Sequence, residues 1–216
     1  MPNIYMFFDG SSLITQIRQL QGKDGRFKGH KLQPLDLVTY FDEAVITDGL
    51  GTVYKRAVFY FAKGDSQVEQ FLDLPSRKTP GLVRDVEFRF CGRKIAGSAP
   101  YEEWLETVPD EFRERCQRSE KGVDIEICCD ALHLASAKLM DRVLLLTNDS
   151  DFVPLCRMLK QLGVNVSLIR LSEARPVNGE LAEACDTYDV VDERHLLTAF
   201  GLSAVLQEAD PKKEVE

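Results

Sequence analysis

Four aspartates fall where short apolar runs stop. Asp9 follows the run Ile4–Phe8 directly, and Asp149 and Asp151 follow Val143–Leu146 with only Thr147 and Asn148 before the first of them. Asp124 opens the amphipathic stretch that runs back towards that second run. If the two runs are neighbouring parallel strands, these carboxylates share one sheet edge. Such a convergence is unfavourable unless cations neutralise it. Oxygen-only donors suit Mg²⁺ or Mn²⁺, which keep several waters and often bind substrate phosphates. A cation held there polarises a phosphodiester and acidifies a water for in-line attack. Each acid also has an ordinary reading: a turn at Asp9-Gly10-Ser11-Ser12, a helix cap at Asp149-Ser150-Asp151, a helix-dipole partner at Asp124. Their common placement favours the cluster.

The elements that must position them read from periodicity. Strands are expected at Ile4–Phe8, Val53–Phe61, Val86–Cys91, Val143–Thr147, Val164–Ile169 and Thr187–Val191. Helices are expected at Leu35–Val45, Asp65–Leu74 before Pro75, Asp110–Ser119, Val123–Leu139, Phe152–Leu162 before Gly163, Glu180–Ala184 and from Glu193. Apolar strands alternating with helices imply an α/β fold with a parallel sheet covered on both faces. Ligands of such sheets gather at the carboxyl ends of the strands.

At 216 residues, with 44% hydrophobic and 29% charged, the chain suits one globular domain spanning about residues 1–200. Residues 75–120, rich in Pro and Gly, read as an irregular insertion, and 207–216 as a polar, disordered tail. No apolar run approaches the length of a membrane span, and the N-terminus lacks the basic start of a signal peptide. Six cysteines without C-x-x-C spacing fit a reduced, cytoplasmic protein. His30, His133 and His195 form no zinc pattern, and no phosphate-loop or nucleophile-elbow motif occurs.

The net charge of −8 lacks the basic signature of a nucleic-acid binder. One window departs from it: residues 77–94 hold six cations (Arg77, Lys78, Arg84, Arg89, Arg93, Lys94) against Asp85 and Glu87. Arg89, Arg93 and Lys94 are candidates for phosphate contacts, against the plainer reading of a solvated face. Trp104 and Tyr101 lie beside that window, where they could stack on bases or pin the insertion.

Three segments carry a resemblance to a known family. Phe7-Phe8-Asp9-Gly10-Ser11-Ser12-Leu13, Lys121-Gly122-Val123-Asp124 with Asp130 six residues on, and Thr147-Asn148-Asp149-Ser150-Asp151-Phe152-Val153-Pro154-Leu155 closed by Gly163-Val164-Asn165-Val166 resemble the NYN family of PIN-like domains, which includes the LabA-like proteins. The resemblance implies a three-layer α/β/α sandwich with a central, mainly parallel sheet, and a Mg²⁺- or Mn²⁺-dependent ribonuclease site. Carried over, Asp9, Asp124, Asp149 and Asp151 become the catalytic, metal-binding acids. Ser11, Ser12, Lys121, Asp130, Thr147 and Asn148 become supporting residues. Asp130 stands about 240° round a helix from Asp124 at 100° per residue, so both face one metal only if the helix starts late. One departure stands out: Ser12 occupies the place of the family asparagine, offering one hydroxyl where an amide offers a donor and an acceptor.

The function expected is metal-dependent hydrolysis of RNA at the aspartate cluster. The alternative is a weak or inactive PIN-like module that binds RNA or a protein partner, with a homo-oligomer as a further possibility.

Overall fold

The structure is a computed structural model that describes residues 2–23, 27, 30–41, 54–74, 85–94, 103, 106, 107, 109, 120–171, 176–191, 196 and 197. Six parallel strands form its central sheet. They are β1 (Ile4–Asp9), β2 (Tyr54–Ala62), β3 (Asp85–Cys91), β6 (Arg142–Leu146), β7 (Asn165–Arg170) and β8 (Thr187–Val190), in the spatial order β3-β2-β1-β6-β7-β8. The chain builds outward from β1 through β2 to β3, then returns to the other side of β1 to lay down β6, β7 and β8. The order therefore reverses between β1 and β6, which opens a crevice at their carboxyl ends.

Side-chain alternation sorts two cores. Met6, Phe8, Phe59, Phe61, Leu144, Leu146 and Ile169 face one side, where they meet α1 (Gly10–Lys23), α2 (Pro34–Phe41) and α3 (Ser66–Phe71). Phe7, Val58, Tyr60, Val143, Leu145, Val166 and Leu168 face the other, under α4 (Val123–Ser136), α5 (Val153–Gln161) and α6 (Gly179–Ala184). The result is the expected three-layer α/β/α sandwich. On the first face Phe8, Phe59 and Phe88 are register partners across three strands, with ring centroids 4.1 and 5.2 Å apart. Such cross-strand aromatic pairs hold register beyond their buried area.

Strand positions agree with the sequence reading to within a residue or two. Helix α1 is the main difference: its apolar residues Leu13, Ile14, Ile17 and Leu20 have helical spacing, but the Asp9-Gly10-Ser11-Ser12 start has turn composition. Helix α4 ends at Ser136 rather than Leu139, because Lys138 turns into the left-handed region with φ 56°. The expected insertion at 75–120 includes β3 itself. It also includes a two-stranded antiparallel ribbon, β4 (Arg93–Lys94) against β5 (Glu120–Lys121). The expected helix at 110–119, Tyr101, Trp104, Arg77, Lys78, Arg84 and the 207–216 tail lie outside the described residues.

Two glycines make the crevice possible. A Cβ on Gly10 would lie 2.4 Å from Tyr60 O and 2.4 Å from Phe61 Cδ1, so α1 can leave β1 this close to β2 only without a side chain. Gly122, with φ 103°, turns the ribbon into α4 while a Cβ there would sit 3.2 Å from Gly92 Cα.

Candidate carboxylate site

Asp9 ends β1 and is 1% exposed. Its carboxylate accepts four hydrogen bonds. Oδ1 takes the Ser11 amide at 3.1 Å and the Ser11 hydroxyl at 3.0 Å. Oδ2 takes the Ser12 hydroxyl at 2.6 Å and the Thr147 hydroxyl at 2.9 Å. Both of those hydroxyls accept in turn from the loop after β6: Asn148 N–H donates to Ser12 Oγ at 3.1 Å, and Asp149 N–H to Thr147 Oγ1 at 3.2 Å. Two relays of the same form thus run from a backbone amide through a hydroxyl to Asp9. They tie the carboxyl end of β1 to that of β6 across the switch point. Ser12, standing in the asparagine's place, is a working link in this network.

Asp149 and Asp151 are exposed on the loop that follows, with Asp149 Oδ1 capping the short 3-10 turn through Asp151 N–H at 2.9 Å. Asp124 stands half-buried in the first turn of α4. Burial, and after it the charges of Asp9, Asp149 and Asp151, push its pKa up from 3.8 to about 6. Asp124 therefore stands within electrostatic reach of the other three expected acids.

Their donor chemistry fits a hard divalent cation: several carboxylate oxygens, one acid driven towards its neutral form by burial and like charge, and no sulfur or imidazole among them. Their arrangement is looser than a formed cage. Among the described residues no three His, Cys, Asp or Glu side chains are gathered to hold one ion. Asp9 already has about as many partners as a carboxylate's four lone-pair sites accept.

Two expected residues are engaged elsewhere. Asp130 Oδ2 accepts from Tyr60 Oη at 2.6 Å and also from Arg89 Nη1. Arg89 in turn holds Glu87 through Nε at 2.6 Å and lies 5.8 Å from the Tyr60 ring centroid. Burial and the Asp130 contact raise the Tyr60 phenol well above its ordinary value. The helical offset of Asp130 from Asp124 has its physical outcome here, since Asp130 faces β2 and β3. Arg89 is thus an ion-paired residue in this structure rather than a free cation. Arg93 and Lys94 stand opposite Lys121 and Glu120 in the ribbon that leads into α4.

Sequence reasoning missed Gln16, Gln19 and Arg170. With Ser12, Asn148 and Asp149 they line a cavity of about 300 Å³ beside the carboxylates, on the α1 side. A signal for them exists: Gln16 interrupts the apolar stripe of α1 at 2% exposure, and Arg170 ends an apolar strand at 1% exposure.

Among the described residues no helix is long and apolar enough to cross a membrane. Comparison with curated proteins finds no match. A crystal structure of a protein of unknown function from Vibrio parahaemolyticus is similar in fold, with TM-score 0.50 and 17% identity over 89% of this chain and 94% of that one. Residues 98–192 match the family model of the NYN domain. The stretch bearing Lys121, Asp124, Asp149 and Asp151 is thus an NYN domain match, in agreement with the family that the sequence motifs resemble.

Proposed function

We propose that the protein is a metal-dependent ribonuclease, with Asp9, Asp124, Asp149 and Asp151 as its acidic centre. The observation that carries this reading is the placement of Asp9 and the Thr147–Asp151 loop at adjoining strand ends, where the order of the sheet reverses. The NYN match supports a nuclease of the PIN-like class.

Asp124, Asp149 and Asp151 would hold Mg²⁺ or Mn²⁺ through their carboxylate oxygens, with Asp9, which ties the two strand ends through Ser12 and Thr147, as the fourth acid. When bound, such a cation supplies Lewis-acid polarisation of the scissile phosphate and a more acidic water. The chain itself positions Asp9 through Ser11, Ser12 and Thr147, and Thr147 also takes the Asp149 amide. The ribbon cations Arg93, Lys94 and Lys121 receive the backbone of the substrate RNA. A reducing, cytoplasmic setting suits the five free cysteines among the described residues.

The test is RNA cleavage in millimolar Mn²⁺ by the wild type and Asp149→Asn, with thermal melts in parallel. Cleavage by the wild type, its loss in the variant, and a Mn²⁺-dependent rise in melting temperature confined to the wild type are expected. Equal cleavage by both proteins would refute the proposal. A second reading, a non-catalytic module that binds RNA, is favoured by the full complement of hydrogen bonds on Asp9; RNA binding with neither cleavage nor a Mn²⁺ shift would establish it.

A further inference from the structure

The acidic centre sits where β1 and β6 end, and the neighbouring ends of β2 and β3 carry a different chemistry. Asp9, Tyr60 and Arg89 are register partners across β1, β2 and β3. One residue further along, Phe61 pairs with Phe90, and there the row meets solvent. Phe90 is 44% exposed, the one exposed phenylalanine among the described residues. A single exposed apolar side chain is ordinary. Phe90 is set apart by its support and its neighbours.

Its ring is backed. The buried Phe61 ring has its centroid 5.7 Å away at a tilt of 34°. Phe61 lies in turn against Gly10, where a Cβ would come within 2.4 Å of its Cδ1. Phe90 is thus the outer member of a row that begins at the residue after Asp9. A ring supported in this way has less freedom to lose when a flat ligand lies on it. The row is also close to the acids: β3 lies two strands from β1, roughly 10 Å at the ordinary strand spacing.

The surroundings of the ring are basic. Lys63 is exposed where β2 ends, and its amide donates to the carbonyl of Cys91, the residue after Phe90, at 3.3 Å. Arg93 and Lys94 follow Phe90 by three and four residues in β4, and Lys121 stands opposite Arg93. Against these cations are Asp65, which caps α3 through the Gln67 amide at 3.0 Å, and Glu120, opposite Lys94. A positive balance at this end of the sheet runs against the chain's net charge of −8. A flat π-face with cations beside it is the composition that holds unpaired bases: the ring takes a base face-on, and the cations take the backbone on either side. A duplex keeps its bases stacked on one another and has no free face for the ring. An apolar protein segment would use the ring and leave the cations unused.

We propose that Phe90 is a stacking platform for an unpaired RNA base, with Lys63, Arg93 and Lys94 receiving the adjoining phosphates. The proposal rests on the ribonuclease reading for the strand being RNA and for its path past the acids.

The test follows the anisotropy of a short fluorescent RNA with the full chain in EDTA, so that nothing is cleaved, with thermal melts of each variant. The single strand should bind tighter than the same sequence in a duplex. Phe90→Leu keeps apolar bulk and removes the π-face; it should weaken single-strand binding roughly tenfold, the scale of one stacked base, and leave duplex binding unchanged. Phe90→Trp should bind the single strand at least as well as the wild type, and the fluorescence that its indole adds should be quenched by the RNA. Lys63→Glu should weaken both forms and lower the salt slope by roughly one unit. If Phe90→Leu melts early, the tryptophan variant decides. Single-strand affinity unchanged in a folded Phe90→Leu, an indole that RNA does not quench, or no RNA binding at all would overturn the platform. So would self-association of the wild type that Phe90→Leu abolishes with RNA affinity unaltered, which would assign the ring to a contact between two copies. Mn²⁺-dependent cleavage decides the ribonuclease reading separately: Phe90-dependent binding without cleavage leaves the platform and removes the nuclease, and cleavage with binding indifferent to Phe90 does the reverse.

Discussion

Asp124 is the residue whose electrostatics can be checked most directly. Its pKa is raised, so its ionised form is disfavoured by folding. The stability it contributes is complete below its ordinary value of 3.8 and is lost as pH rises through about 6. Asp124→Asn removes that loss. In urea titrations of the metal-free protein at pH 7, the variant should be more stable than the wild type by about 1 kcal/mol, after allowance for the solvent that screens a half-exposed group. The gap should close at pH 4. A variant less stable than the wild type at pH 7 would mean that Asp124 is held by attraction rather than crowded by its neighbours.

At the scale of elements, the junction from β1 into α1 holds the most crowded of the described glycines, Gly10. Gly10→Ala places a methyl group 2.4 Å from a backbone oxygen, which cannot rotate away. A destabilisation of about 3 kcal/mol is expected, seen as a melting temperature lowered by several degrees. Gly22→Ala, in the same helix with nothing within 4 Å, is the control and should be neutral or slightly stabilising. The same junction shows what the sequence alone conveys. Strands β1, β2, β6 and β7 are buried on both faces, so their apolar runs are read without ambiguity, and the acids at their ends follow. Helix α1 escapes because Gly10, Ser11 and Ser12 are turn formers when taken locally, and only contact with Tyr60 and Phe61 explains them. The cavity escapes with it, since Gln16 and Gln19 belong to a helix that the local signal hides. The ribbon β4–β5 has two residues a strand, too few to carry a period. Asp130 shows the opposite case: simple helix geometry is enough to separate it from Asp124.

Over the whole molecule, function must overcome charge. The chain has a net charge of −8 and carries an acidic centre, yet the proposed substrate is a polyanion. The ribbon sets Arg93 opposite Lys121, directly before the helix that bears Asp124. Arg93→Glu combined with Lys94→Glu should weaken RNA binding and lower the slope of log affinity against log salt by roughly one unit for each phosphate no longer neutralised. The Mn²⁺-induced melting shift should stay, because neither residue is among the proposed ligands. Unchanged RNA affinity would put the path of the strand on another face. The two halves of the sheet also contribute separately: the NYN match begins at residue 98, so Asp9 and the cavity wall of α1 come from the chain before it.

The paired relays through Ser12 and Thr147 have a consequence for the timing of local motion. A loop after a strand usually exchanges its amide protons with solvent readily, yet the amides of Asn148 and Asp149 both donate to hydroxyls that are themselves held by buried Asp9. These two amides should show slow deuterium uptake, comparable to that of β6 itself, because releasing them requires the β1 end to open as well. In Ser12→Ala, the Asn148 amide should exchange far faster while Asp149, tied through Thr147, stays protected. Equal acceleration of both would show that the two strand ends are fastened as one cooperative unit rather than by two independent latches.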